Sequence, residues 1–77
     1  MTEIYIPFAF LWDEPNRVVG EYILSERAYS HAEHDEAFEQ AEIIARRANL
    51  LGGRFSGPMF KPSIHLAILP KMLTGPS

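Results

Sequence analysis

Cysteine is absent from the 77 residues, which excludes disulfides, thiolate metal clusters and a cysteine nucleophile. No apolar run approaches the roughly 20 residues that a bilayer-spanning helix needs. The opening Met1-Thr2-Glu3 lacks the basic stretch that begins a secretory signal, so the expectation is a soluble, intracellular protein. Acid is missing from one end of the chain. Residues 46–77 hold Arg46, Arg47, Arg54, Lys61 and Lys71 and no carboxylate, whereas residues 1–45 hold all ten carboxylates against Arg17 and Arg27. A net charge of −3 therefore conceals a −8 half and a +5 half. Such asymmetry either marks a charged binding surface or is neutralised when a short chain folds on itself.

Catalytic signatures are scarce too. There is no Gly-x-Ser-x-Gly elbow and no His-Glu-x-x-His pair. Gly52-Gly53-Arg54-Phe55-Ser56-Gly57 is glycine-rich but follows a helical pattern instead of opening one, and a helix C-terminus presents carbonyls that repel phosphate. The expectation is a non-enzymatic protein without a cofactor.

What is present is a hydrophobic share of 47%, ordinary for a globular protein, in a chain sized for one domain. A chain this short buries only about 60–65% of its unfolded surface, so its core is thin. Residues 3–12, Glu3-Ile-Tyr-Ile-Pro-Phe-Ala-Phe-Leu-Trp12, are β-branched and aromatic and read as a strand. Ile4, Ile6, Phe8, Phe10 and Trp12 alternate on one side, Tyr5, Pro7, Ala9 and Leu11 on the other, and neither side is polar. Asp13-Glu14-Pro15-Asn16 is a turn, with Asn16 tolerating left-handed geometry. A second strand is expected from Arg17 to about Arg27. Pro7 cannot donate to a ladder, which places the first strand at an edge with the second between it and the third. The competing order sets the first strand centrally, with Pro7 at a bulge.

From Ser30 to Leu51 apolar residues recur at spacings of three and four: Ala37, Phe38, Ala41, Ile44, Ala45, Ala48 and Leu51 form one helical stripe. Gly52-Gly53 ends it, since glycine takes the left-handed position beyond a helix without penalty. Residues 54–62 are expected as a loop and Ser63–Leu69 as a third strand, with Ile64, Leu66 and Ile68 toward the core. The predicted fold is a two-layer α+β domain of β-β-α-β order over residues 1–70. It has a three-stranded sheet, one long helix on one face, and a loose C-terminal tail, 71–77.

Two histidines lie among carboxylates in Tyr29-Ser-His-Ala-Glu-His-Asp-Glu36. Ser30-His31-Ala32-Glu33 reads as a capping box, with Asp35 and Glu36 near the positive end of the helix dipole and Arg46 and Arg47 near the negative end. Glu42 and Arg46 are spaced for an ion pair. A metal-dependent enzyme using His31, His34 and a carboxylate is the alternative. Catalytic zinc wants three protein ligands, and the remaining candidate, His65, matches no known spacing. No metal site is expected.

Two surfaces suit a partner. Glu33, Asp35, Glu36, Glu39 and Glu42 make an acidic helix face: either a solvated face or a ridge that docks on a basic groove. The sheet face away from the helix is expected to be apolar, with Tyr5, Leu11, Ile23, Ala67 and Leu69, and to pair with a second copy or a target. The opposing expectation is that loop 54–62 and the tail cover it with Phe55, Met59, Phe60, Met72 and Leu73. Direct nucleic-acid binding through Arg46, Arg47, Arg54 and Lys61 is disfavoured by the negative overall charge.

In size, absence of cysteine, α+β layout and the acidic helix bearing Glu33, Asp35, Glu36, Glu39 and Glu42, the chain resembles the small phage-encoded inhibitors called anti-CRISPR proteins. The resemblance covers the whole chain in style and no residue motif within it. It implies stoichiometric inhibition, in the host cytoplasm, of a bacterial CRISPR effector subunit at a nucleic-acid-binding surface. A homodimeric structural or regulatory module is the other non-enzymatic reading.

Overall fold

A computed structural model of the chain describes residues 2–69. The expected tail, with Met72 and Leu73, lies outside the described residues. Strand β1 (Thr2–Asp13) runs the length of the sheet. It pairs antiparallel with β4 (Met59–Leu69) along one flank, from Thr2↔Leu69 to Trp12↔Met59. The other flank is shared: β2 (Val18–Leu24) pairs with residues 8–13, and the two-residue β3 (Tyr29–Ser30) pairs with Ile4 and Tyr5. A single turn of 3-10 helix, His31–Glu33, leads into α1 (His34–Leu51), which packs over β1 and β4 and makes almost no contact with β2. The α+β layout is as the sequence predicts: an antiparallel sheet with one long helix on it.

Strand order is not the one Pro7 suggested. β1 is central, and Pro7 nonetheless sits in it without loss. Its carbonyl accepts from Ser25 N–H at 2.9 Å, so its nitrogen faces the gap where β2 has ended and β3 has not begun. The ladder is interrupted where a donor would be missing. The bulge lies on β2 instead: Phe10↔Tyr22 and Trp12↔Val19 leave Gly20 and Glu21 together opposite Leu11. A Cβ at Gly20 would stand 3.4 Å from Leu11 Cβ, an ordinary contact, so the bulge has room for a small side chain there.

Local chemistry fixes the element ends. In the hairpin Arg17 N–H donates to Glu14 carbonyl at 3.2 Å, and Asn16 Nδ2 donates to Asp13 Oδ2 at 2.7 Å. Arg17, not Asn16, takes the positive φ, at 53°. The helix ends as a Schellman motif: Gly53 N–H donates to Leu50 carbonyl, Arg54 N–H to Asn49 carbonyl, and Gly53 carries φ 65°. Residues 59–62, expected in a loop, begin β4, which tolerates Pro62 because it is an edge strand.

On β1 and β2 the two sheet faces are exchanged relative to expectation, whereas Ile64, Leu66 and Ile68 of β4 share the helix side as predicted. Ala37, Ala41 and Ala45 form the buried stripe of α1, and Pro7 and Ala9 lie fully buried on the β1 face beneath them. Small residues on both partners permit close approach of helix and sheet. Leu11, Ile44, Ala48 and Phe60 fill the space around Ala9 and Ala45. Phe38 and Leu51, expected in the stripe, are exposed, Leu51 at 83%. The bulky residues Ile4, Ile6, Phe8, Phe10 and Trp12 consequently point away from the helix.

Candidate functional site

Directly opposed residues of paired strands share a face, so the register defines the uncovered surface. Phe8 stands opposite Leu24 and Ser63, Phe10 opposite Tyr22 and Lys61, Trp12 opposite Val19 and Met59, and Ile6 opposite His65. The face is therefore aromatic along its centre, aliphatic and aromatic toward β2, and polar toward β4. Ring centroids of Phe8 and Phe10 are 6.1 Å apart and those of Phe8 and Tyr22 5.9 Å, both tilted, so the rings form one continuous cluster. Tyr22 is 63% and Leu24 65% exposed. By the register no carboxylate belongs to this face. Its basic side chains are Lys61 and His65.

Tyr5 and Leu11, predicted for this surface, lie on the other one. Leu11 packs into the helix–sheet core, and Tyr5 meets the two histidines, stacked on His31 at 5.7 Å and edge-on to His34 at 5.1 Å. Ile23 likewise shares the helix side with Ala9. Of the expected open-face residues, Ala67 remains there, opposite Ile4. Phe55 is 75% exposed and Phe60 is buried on the helix side, so neither covers the aromatic cluster. Recognising the faces from sequence required reading side-chain size: alanine at every fourth helix position matches the Pro7–Ala9 side of β1, not the phenylalanine side.

The acidic residues lie on the opposite layer. Asp35, Glu36, Glu39 and Glu42 are exposed on α1. Helical spacing sets Asp35, Glu36 and Glu39 roughly opposite the buried alanines, facing away from the sheet, with Glu42 on the flank. Among the described residues no ion pair joins Glu36, Glu39 or Glu42 to a basic group, and the expected Glu42–Arg46 pair is not formed. Glu33 is separate from this ridge. Its Oε1 accepts from Ser30 N–H at 3.1 Å and the Ser30 hydroxyl at 3.0 Å, and Arg27 donates to Oε2 at 3.1 Å. The backbone N–H of Ser30, then its hydroxyl, then Arg27 hold the Glu33 carboxyl below its usual pKa. This is the capping box the sequence predicted, strengthened by an arginine that also lies 4.3 Å over the Tyr29 ring.

The histidines do not converge with a third ligand. His31 Nε2 is 3.9 Å from Glu3 Oε2 and His34 Nδ1 is 3.4 Å from Asp35 Oδ1. His65 is on the far side of the sheet from both. Among the described residues no three histidine or carboxylate side chains gather for a metal ion. No helix there is long and apolar enough to cross a membrane.

A second concavity follows from the offset of α1 toward β4. An open groove of about 520 Å³ separates β2 from the helix, floored by Ile23, Ile44, Ala48 and Leu51 and edged by Arg27 and Arg47. Arg27 is already engaged by Glu33 and Tyr29, while Glu26, Gln40 and Arg47 add polar groups to the lining.

These features define a class: a small two-layer α+β module with a bare aromatic sheet face and an acidic outer helix. Comparison with protein-family models, with curated proteins and with solved structures finds no match to the chain.

Proposed function

We propose that this chain is a non-enzymatic protein-interaction module whose working surface is the open sheet face. The observation that carries the reading is the continuous cluster of Phe8, Phe10 and Tyr22, bordered by Trp12 and Leu24, on a surface without carboxylates. Water-facing aromatic area of this extent is unfavourable in isolation, and its burial against another protein supplies the driving force for association. Aromatic side chains are also the residues on which binding energy concentrates at interfaces.

A second reading, stoichiometric inhibition, is supported by the acidic ridge. Glu36, Glu39 and Glu42 are exposed and form no ion pair among the described residues, on the layer opposite the aromatic face, so both surfaces are usable at once. A row of carboxylates suits a basic groove such as the nucleic-acid channel of a CRISPR effector subunit, the target class implied by the resemblance to anti-CRISPR inhibitors.

Two charge-reversal sets separate the surfaces. Tyr22→Lys with Leu24→Lys alters the sheet face, and Glu36→Lys, Glu39→Lys and Glu42→Lys together alter the ridge. Each is used as bait in bacterial lysate beside the unaltered chain, with bound proteins quantified by mass spectrometry. Loss of a wild-type partner with the sheet variant supports the first reading, and loss with the ridge variant supports the second. Retention of every partner by the sheet variant overturns the first. A plasmid-interference assay in a CRISPR-active host tests the inhibitor reading directly: expression of the chain should restore transformation, and unchanged interference rejects that target class.

A further inference from the structure

The distribution of apolar mass in this chain is inverted. Among the described residues the buried side chains are Pro7, Ala9, Tyr29, Ala37, Ala41, Ala45 and Phe60, of which four are alanines that contribute little burial each. The larger side chains Ile4, Ile6, Phe8, Phe10, Trp12 and Tyr22 stand on the face that α1 does not cover. Association is one means by which a cysteine-free domain enlarges so small a core.

Resting on the reading that the open face is the working surface, we infer that its occupant is a second copy of the same chain. The dimer stacks sheet on sheet about a two-fold axis running along β1, with both helices outside. The register supports this axis. Tyr22 and Lys61 flank Phe10 at one level, Leu24 and Ser63 flank Phe8 at the next, and Val19 and Met59 flank Trp12. A two-fold along β1 lays β2 of one copy across β4 of the other at the same levels. The Lys61 ammonium then meets the partner copy's Tyr22 ring as a cation–π pair, instead of meeting a second Lys61. An axis across the strands would lay β4 on β4, and where it crossed at the Phe10 level it would set lysine against lysine.

Area and charge agree. Strands β1, β4, β2 and β3, of twelve, eleven, seven and two residues, together project to about 500 Å² before side-chain relief. Stable interfaces bury roughly 600–800 Å² of accessible surface per partner, and a corrugated aromatic face reaches that range. Each monomer carries −3, yet no carboxylate lies on the contact face. Across two sheets about 10 Å apart and two helices about 10 Å thick, the acidic ridges are separated by more than the roughly 8 Å screening length of physiological salt.

Sedimentation of the untagged chain over micromolar to millimolar concentration is the test. The expected particle is twice the 8.7 kDa chain mass, and its thermal midpoint should rise with protein concentration. Tyr22→Lys with Leu24→Lys, at positions 63% and 65% exposed in the monomer, should weaken association at least tenfold without preventing folding. The chain contains no cysteine, so an equimolar mixture of Tyr22→Cys and Lys61→Cys chains should give the mixed disulfide in preference to either homodimer. A monomer at every concentration overturns the inference. In that case, loss of a heterologous partner by the lysine variant still leaves the interaction surface standing. A dimer that tolerates both lysines, or that crosslinks Lys61→Cys to itself, overturns the proposed face or axis.

Discussion

Close approach between helix and sheet rests on three alanines. Ala41, fully buried, sits mid-stripe in α1 over the Pro7–Ala9 side of β1. Enlarging it forces the layers apart, so Ala41→Leu is expected to cost about 1–3 kcal/mol in urea unfolding at fixed protein concentration. Leu51 has the opposite character. Helical spacing assigned it to the core, but at 83% exposure Leu51→Lys should move stability by no more than about 0.5 kcal/mol. A second residue was invisible to pattern reading. Asn49 donates to Phe60 carbonyl at 3.0 Å and accepts from Phe60 N–H at 2.7 Å, so one amide satisfies both outward backbone groups of that edge-strand residue and clips α1 to β4. Asn49→Ala is expected to cost about 1–2 kcal/mol by the same measurement, because two part-buried backbone groups lose their partner. A polar side chain 11 residues before its target carries no periodic signal.

The best-read elements were those governed by local chemistry. Ser30 and Glu33 specify a cap, and Gly52-Gly53 specifies a stop, through backbone geometry that needs no tertiary partner. Elements governed by pairing were read less well. The start of β4 at Met59 was hidden by Pro62, which an edge strand accepts, and Pro7 is central only because β2 and β3 break opposite it. The cap also has a pH signature. Hydrogen bonds from Ser30 and Arg27 hold the Glu33 carboxyl below its usual pKa, so folding favours the ionised form. A lowered folded-state pKa contributes stability that is present above the unfolded-state pKa and is lost as pH falls through the folded-state one. Glu33→Gln should therefore be less stable than the unaltered chain at neutral pH, and the gap should close below about pH 4. Thermal midpoints followed by circular dichroism across that range check it, and a gap independent of pH would assign the effect to packing instead of charge.

At the scale of the whole molecule, two apolar faces on one strand made the sheet legible and its orientation illegible. Alternation identifies two sides of β1, and only the sizes of the facing residues decide which the helix takes. The outcome is a molecule whose protection from solvent is uneven. β1 lies between β2 and β4 and under α1, while every residue of β2 is exposed and its helix side borders an open groove. Amide exchange should therefore be slowest in β1 where it pairs with β4, and far faster in β2, whose opening disrupts little packing. Concentration supplies the decisive contrast. If sheet faces pair in solution, β2 amides should gain protection as the chain is concentrated, because Tyr22 and Leu24 then pack against a second copy, while the exposed outer side of α1 exchanges as before. Protection of α1 rising with concentration while β2 stays unchanged would move the contact to the acidic layer.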